Sequence, residues 1–160
     1  MSNSPTAINK RGTKVYRDGY TFDSVKEDFF YTEFVKKSGF QFDVHPSFVL
    51  EKGGRIDRVN VKGVVLTPDF VIYDDKGQMI HVYDVKNSFG VYGIDPAVAL
   101  RFKMFLLRYK IPVEAVVVRT HDFKVIAQGI DKRRQPKAAL VRTNIDYDWI
   151  RATNYKEAYR

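Results

Sequence analysis

A chain of 160 residues with 44% hydrophobic and 29% charged side chains is long enough for one domain with a real core, and disorder is excluded as the default. The absence of cysteine excludes disulfides and thiolate metal sites, and no apolar run approaches the length of a membrane span. Lys and Arg outnumber Asp and Glu by 27 to 19, a formal charge of +8 that favours polyanions, nucleic acid first, through counterion release.

Residues 1–18 read as a basic N-terminal arm carrying Lys10, Arg11, Lys14 and Arg17, placed either to fray or to touch phosphates. The arm is polar with no apolar signal core, which predicts a cytoplasmic protein. From Ser24 to Ser38 the period is helical: Phe30, Tyr31, Phe34 and Val35 make one stripe, and Gly39 is the stop. Glu27 admits two readings. Ser24-Val25-Lys26-Glu27 has the form of a capping box, yet Glu27 shares the inward stripe of Phe30 and Tyr31, where a carboxylate needs a cation or donors.

Phe40 to Leu50 predicts a strand centred on Phe48, Val49 and Leu50, with His45 before Pro46 either a satisfied structural histidine or a contact to a site. Glu51-Lys52-Gly53-Gly54 reads as a turn. Arg55 to Lys62 alternates charges with Ile56, Val59 and Val61, and predicts an exposed strand. On it Arg55, Arg58 and Lys62 lie either near the phosphates of a bound nucleic acid or simply in solvent.

The segment from Leu66 to Gly90 organises the rest. Two β-rich stretches flank an Asp74-Asp75-Lys76-Gly77 turn; Asp69 follows Pro68 at the start of the first, and Asp84 and Lys86 close the second. Alternate residues of a strand share a face, so Asp84 and Lys86 point the same way, with Val82 and Ile80 behind them. If Tyr73 pairs with Gln78, Asp69 lies opposite Val82 and joins that face; a one-residue slip turns it away. Two crowded carboxylates repel, and a divalent cation with few protein oxygen ligands, Mg²⁺ above all, removes the conflict. A neighbouring lysine would then orient the attacking water or hold a phosphate.

Asn87 to Gly93 is a glycine-spaced loop, either a turn or a substrate edge. Asp95-Pro96 starts a helix that runs to about Lys110 and buries Val98, Phe102, Phe105, Leu106 and Tyr109. Val113 to Val118, almost continuously apolar, fits a central strand covered on both faces. His121 to Ile130 reads as a further strand and residues 131–137 as a basic loop, whose Lys132, Arg133 and Arg134 either touch DNA or keep the surface soluble. The tail from Asp146 to Tyr159 carries Tyr147, Trp149, Ile150 and Tyr155, which close over the chain's own core or clasp a second subunit. This order of elements is an α/β core on a mixed sheet. No P-loop, serine-histidine triad or histidine-cysteine cluster is present, so no nucleotide cofactor is expected.

Pro68-Asp69 followed by Asp84-Val85-Lys86 resembles the PD-(D/E)XK signature of the restriction-endonuclease-like nuclease superfamily. The surroundings are more similar still to a family of small phage and prophage nucleases that open with Gly-x-x-Phe-Asp-Ser-x-x-Glu, here Gly19 to Glu27. The likeness covers about residues 9–118. It implies a restriction-endonuclease-like core of a mixed β-sheet flanked by helices over residues 19–118, with residues 119–160 as an extension of the same domain that contacts DNA or a second subunit. It implies catalytic roles for Glu27, Asp69, Asp84 and Lys86, and a cation, Mg²⁺ with Mn²⁺ as substitute, on Asp69, Asp84, the Val85 carbonyl and Glu27. Lys103 falls where the family keeps a helix lysine and is implied as a DNA contact, while similar sequences tend to have glutamine at His45. The implied activity is hydrolysis of DNA phosphodiesters, structure-selective on branched DNA in the manner of a Holliday junction resolvase, by a homodimer in the host cytoplasm if the chain is phage-encoded. The alternatives are a nuclease for flaps, single strands or duplex ends, and a DNA-binding module without catalysis.

Overall fold

The computed structural model describes residues 13–90, 93–131, 139–155 and 157. Asp18 and Gly19 both take left-handed backbone angles, φ 53° and 83°, and so close a two-residue turn between β1 (Val15–Arg17) and β2 (Tyr20–Phe22). Residues 13–18 are therefore not a free arm. Arg17 reaches the Asp28 carboxylate at 2.6 Å and Lys14 reaches Asp23 at 3.7 Å, so local acids absorb the charge that reads from sequence as a phosphate contact. Lys10 and Arg11 lie outside the described residues.

Ser24 caps α1 (Val25–Phe30), its hydroxyl accepting from the Glu27 amide at 3.1 Å. The helix continues through a π-helical turn (Tyr31–Val35) and a 3₁₀ turn (Lys36–Ser38), and Gly39 stops it with φ 79°. Phe30, Tyr31, Phe34 and Val35 are buried, as their spacing predicts.

A six-stranded sheet follows, made of β3 (Gln41–Val44), β8 (Phe70–Tyr73), β9 (Met79–Val85), β10 (Val113–Val118), β11 (Phe123–Ala127) and β12 (Leu140–Arg142). Its order is β12-β11-β10-β9-β8-β3, antiparallel except for β9 beside β10. The parallel pair needs a crossover, which α2 (Pro96–Tyr109) supplies. Asp95 caps it by accepting from the Val98 amide at 2.9 Å, and Lys110 ends it at φ 64°. Alternate sheet residues fill two cores. Phe70, Tyr83, Val116 and Phe123 pack with Phe22, Phe30 and Phe34 on the α1 side; Val71, Val82, Val113 and Ala115 pack with Phe102 and Phe105 on the α2 side. The architecture is mixed α/β with a mostly antiparallel sheet. No helix among the described residues is long and apolar enough to cross a membrane.

The single strand expected from Phe40 to Leu50 is two. His45 has φ 53°, Pro46 has no amide to give a ladder, and β4 (Phe48–Glu51) pairs with β7 (Val64–Leu66) while β3 pairs with β8. The strand expected over Arg55 to Lys62 is likewise a hairpin, β5 (Gly54–Ile56) against β6 (Val59–Val61), because Asp57 at φ 55° turns the chain. These pairings follow one another. Val44 faces Phe70 and Phe48 faces Leu66 in one register, and after a one-residue shift between Val49 and Glu51 Gly54 faces Val61, so residues 41–73 form one long ribbon with Pro46 and Pro68 at its interruption. Gly53 and Gly63 lie back to back further out, where a Cβ on Gly53 would come within 2.5 Å of the Val61 carbonyl oxygen.

On the α1 side the sheet buries a polar network absent from the sequence reading. Glu114 and His81 are fully buried, with His81 Nδ1 2.5 Å from Glu114 Oε2 and Nε2 donating to the Tyr147 carbonyl at 2.7 Å. The Tyr147 hydroxyl donates to Glu114 Oε1 at 2.9 Å and meets the Tyr83 hydroxyl at 2.7 Å. Every member has a partner, which is what makes such burial tolerable. The network holds the C-terminal segment, so Tyr147 closes over its own core. Glu114→Ala would leave the His81 ring buried beside an empty space, and breaking a buried pair this way costs about 3–5 kcal/mol. Urea unfolding should show that loss, and a decrease below about 1 kcal/mol would mean the network contributes little.

Candidate active site

Asp69 stands one residue before β8, its amide donating to the Tyr83 carbonyl at 3.0 Å. Phe70 faces Tyr83 and Val71 faces Val82, a register that sets Asp69 opposite Asp84. The pairing of Tyr73 with Gln78 does not form; Tyr73 faces Met79, with an irregularity beside Ile72. The cause is the Asp74 side chain, whose Oδ1 accepts from the Lys76 and Gln78 amides, both at 2.9 Å, and so enlarges the turn. The resulting register differs from the expected one by an even number at Asp69, so the Asp84 face is kept. Ile80, expected behind Asp84, is turned to the α1 side by the same irregularity, and Met79 takes the α2 side.

At this rim four predicted side chains meet. Asp69 Oδ2 accepts from the Val85 amide at 2.7 Å, and the Asp69 and Asp84 carboxyls are close enough to share a hydrogen bond. Lys86 Nζ lies 3.5 Å from Asp84 Oδ1 and 5.8 Å from the centre of the Phe102 ring, so α2 supports it from behind. Glu27, buried at the first turn of α1, adds its charge to those of Asp69 and Asp84. Its amide uses the Ser24 cap, while its carboxylate is engaged elsewhere: Oε1 is 2.5 Å from His45 Nε2. His45 Nε2 is also 3.7 Å from Asp69 Oδ1. The histidine therefore bridges the helix carboxylate to the strand carboxylate, which the sequence left open between a site contact and a structural role.

Burial, then the charges of Asp84 and Glu27, push Asp69 well above the ordinary carboxylate range. Burial likewise raises Asp84, with Lys86 opposing. The two carboxyls thus hold protons more tightly than free ones do, Asp69 the more so. The Glu27 carboxylate raises the His45 imidazole. Such mutual repulsion in a partly buried oxygen-rich set is the kind of conflict that a hard divalent cation relieves. Among the described residues the three acidic or imidazole groups whose ligand atoms lie within 4.8 Å of one another are Asp23, Glu27 and His45, a set that shares only Glu27 with the expected one.

The proposed nucleic-acid contacts lie apart from this cluster. Arg55, Arg58 and Lys62 are exposed on the β5–β6 hairpin, and Lys103 is exposed on α2, whose backbone there packs close to Gly129. No hydrogen bond or ion pair joins these four to the acidic cluster among the described residues. Lys132, Arg133 and Arg134 lie outside the described residues. Closer to the cluster, Lys26 Nζ donates to Asn87 Oδ1 at 3.1 Å, tying α1 to the loop after Lys86.

The raised Asp69 carboxyl gives the fold a pH dependence. A carboxyl held above its unfolded value, about 3.9 for Asp, lends its full stability below that value and loses it as pH rises through the folded one. With chelator present, the urea midpoint should therefore fall as pH rises from near 4 into the range of the raised Asp69 value. Asp69→Asn should remove most of the slope and Mg²⁺ should flatten it. If the Asp69→Asn variant kept the parent's slope, the carboxylates would not be in conflict.

No curated protein and no solved structure matches the chain. Residues 9–125 match a family described as a protein of unknown function, and the matched segment contains Glu27, His45, Asp69, Asp84 and Lys86. Since the match spans more than half of its length, the chain belongs to the DUF1064 family.

Proposed function

We propose that the protein is a Mg²⁺-dependent DNA endonuclease with a restriction-endonuclease-like core, acting on branched DNA as a homodimer. The observation that carries this reading is the meeting of Glu27, Asp69, Asp84 and Lys86, from three separate elements, at one rim of the sheet. Solvent reaches that rim past His45 and Lys86, whose side chains are 27% and 20% exposed. The excess of cations over acids in the chain supports a polyanionic substrate. Preference for branched DNA, such as a Holliday junction, rests on the resemblance to small phage nucleases.

Asp69, Asp84 and Glu27 would hold the cation, with the Val85 carbonyl as a further oxygen. When bound it would lower the pKa of a water and neutralise charge on the scissile phosphate. The Val85 amide fixes Asp69 Oδ2, which leaves Oδ1 on the side of His45. Asp84 and the Phe102 ring hold Lys86 Nζ where it can orient the attacking water or hydrogen-bond a phosphate oxygen. His45 keeps the Glu27 carboxylate from folding back onto its own helix terminus.

The test compares a four-way junction, linear duplex, flap and single strand, each with Mg²⁺ and with chelator. Incision should require the cation and favour the junction. Lys86→Ala and Asp84→Asn should lower the rate by about 10²-fold or more, in the range that loss of a positioned group gives, while junction binding is retained. Binding without incision under any metal would leave a DNA-binding module in place of an enzyme.

A further inference from the structure

The ribbon that carries His45 and Asp69 does not end at them. The His45 amide donates to the Asp69 carbonyl at 3.0 Å and closes its root on the acidic cluster. Beyond the two prolines it runs through β4–β7 and β5–β6 to the turn at Asp57 and Arg58. Phe48, Leu50, Val64 and Leu66 pin its base to α2, and the Tyr109 hydroxyl donates to the Val49 carbonyl at 2.6 Å. Past that base, residues 51–63 are exposed without interruption. At about 3.3 Å per residue the ribbon extends roughly 30–40 Å from the site, close to the roughly 34 Å of one turn of duplex DNA.

Its chemistry is divided by face. Ile56 pairs with Val59, and Val61 with Gly54, on one side; Arg55 pairs with Asn60 on the other. Ile56, Val59 and Val61 are 68%, 64% and 47% exposed, a large apolar exposure for a two-stranded ribbon on which nothing packs among the described residues. Lys52, Arg55, Arg58 and Lys62 are exposed, and none forms an ion pair among the described residues. Elsewhere Lys14, Arg17, Lys36, Lys37 and Arg119 are each matched to an acid. The ribbon also carries two exposed acids, Glu51 and Asp57, but the cations outnumber them, so a second copy of the same patch would set like net charge against like, whereas a polyanion would neutralise it. A two-stranded ribbon also has the width that a DNA major groove admits.

We propose that residues 48–66 are an arm that lies along a groove of duplex DNA to one side of the acidic cluster, with its cations on the phosphates and Ile56 and Val59 against the sugar edges. The arm makes about one turn of duplex beyond the cut a requirement of the substrate, and that last clause alone rests on the nuclease reading.

The experiment uses the full chain with chelator present, so that no cleavage is involved, and a four-way junction with long arms. Hydroxyl-radical footprints and binding at several salt concentrations are read for the parent and for Lys52→Ser/Arg55→Ser/Arg58→Ser/Lys62→Ser. The variant should lose about ten-fold or more in affinity near physiological salt, its log–log salt slope should fall by about 3–4, and the footprint should shorten on one side only. Because these residues are exposed, thermal unfolding should be unchanged. Equal affinity, slope and footprint would overturn the proposal. Ile56→Ser/Val59→Ser should weaken binding with the slope preserved; if it instead turns a dimer into a monomer in sedimentation with DNA affinity intact, the ribbon is a protein interface and the proposal fails. Metal-dependent incision, measured separately, distinguishes a wrong arm from a wrong activity: a shortened footprint without incision defeats only the nuclease reading.

Discussion

The pairing of Asp69 with Asp84 is the constraint on which the rest of the molecule depends. The β8–β9 register sets two carboxylates side by side under partial cover, and Glu27 brings a third from across the sheet. One amide, one lysine and one histidine oppose them. Apolar packing alone would select against such a cluster, since each buried charge must be paired or neutralised. Its persistence in an otherwise well-filled α/β core is a physical reason to look for a ligand that reverses the conflict.

Much of this was legible in the sequence because it is local. Phe30, Tyr31, Phe34 and Val35 recur at helical spacing, Asp95-Pro96 is an N-terminal signature, and the apolar run from Val113 to Val118 marks a strand covered on both faces; all three are found where their patterns put them. Asp84 and Lys86 share a face for the same reason, two residues apart on one strand. What failed depended on side-chain capping or long-range pairing. Asp74 enlarges its turn and moves Ile80 to the other face, and His45-Pro46 cuts a strand that composition alone would continue. Arg17 looks like an unattached cation until β1 folds back to bring it to Asp28. An Asp-Gly pair between Arg17 and Tyr20 was the available signal for that turn, hidden by the basic composition around it.

His81 and Glu114 were invisible for another reason. One sits beside the irregularity of β9 and the other inside an apolar run, and neither spacing nor composition says that two residues 33 apart hydrogen-bond to each other. Their network lies on the α1 face with Tyr83, while Asp84, the next residue along β9, turns to the α2 face. A single strand thus carries a closed polar network on one side and an open one on the other. The closed set has a partner for each of His81, Glu114, Tyr83 and Tyr147 and can only stabilise. The open set has an excess of negative charge and side chains that reach solvent, and so has capacity left to bind.

The two prolines give the ribbon its division of labour. Pro46 and Pro68 flank the His45–Asp69 backbone bond and interrupt the ladder at one level on both strands. Inside that level the ribbon is part of the sheet and its register is fixed by burial of Phe70, Val71 and Ile72; outside it, among the described residues, pairing alone holds the strands beyond the contact with α2. The contact with α2 stands between the outer half and the prolines, next to the two residues through which Glu27 meets the strand carboxylates. The backbone that aims His45 and Asp69 is therefore held from both sides, by the sheet within and by α2 without, and keeps its aim whatever the outer half meets.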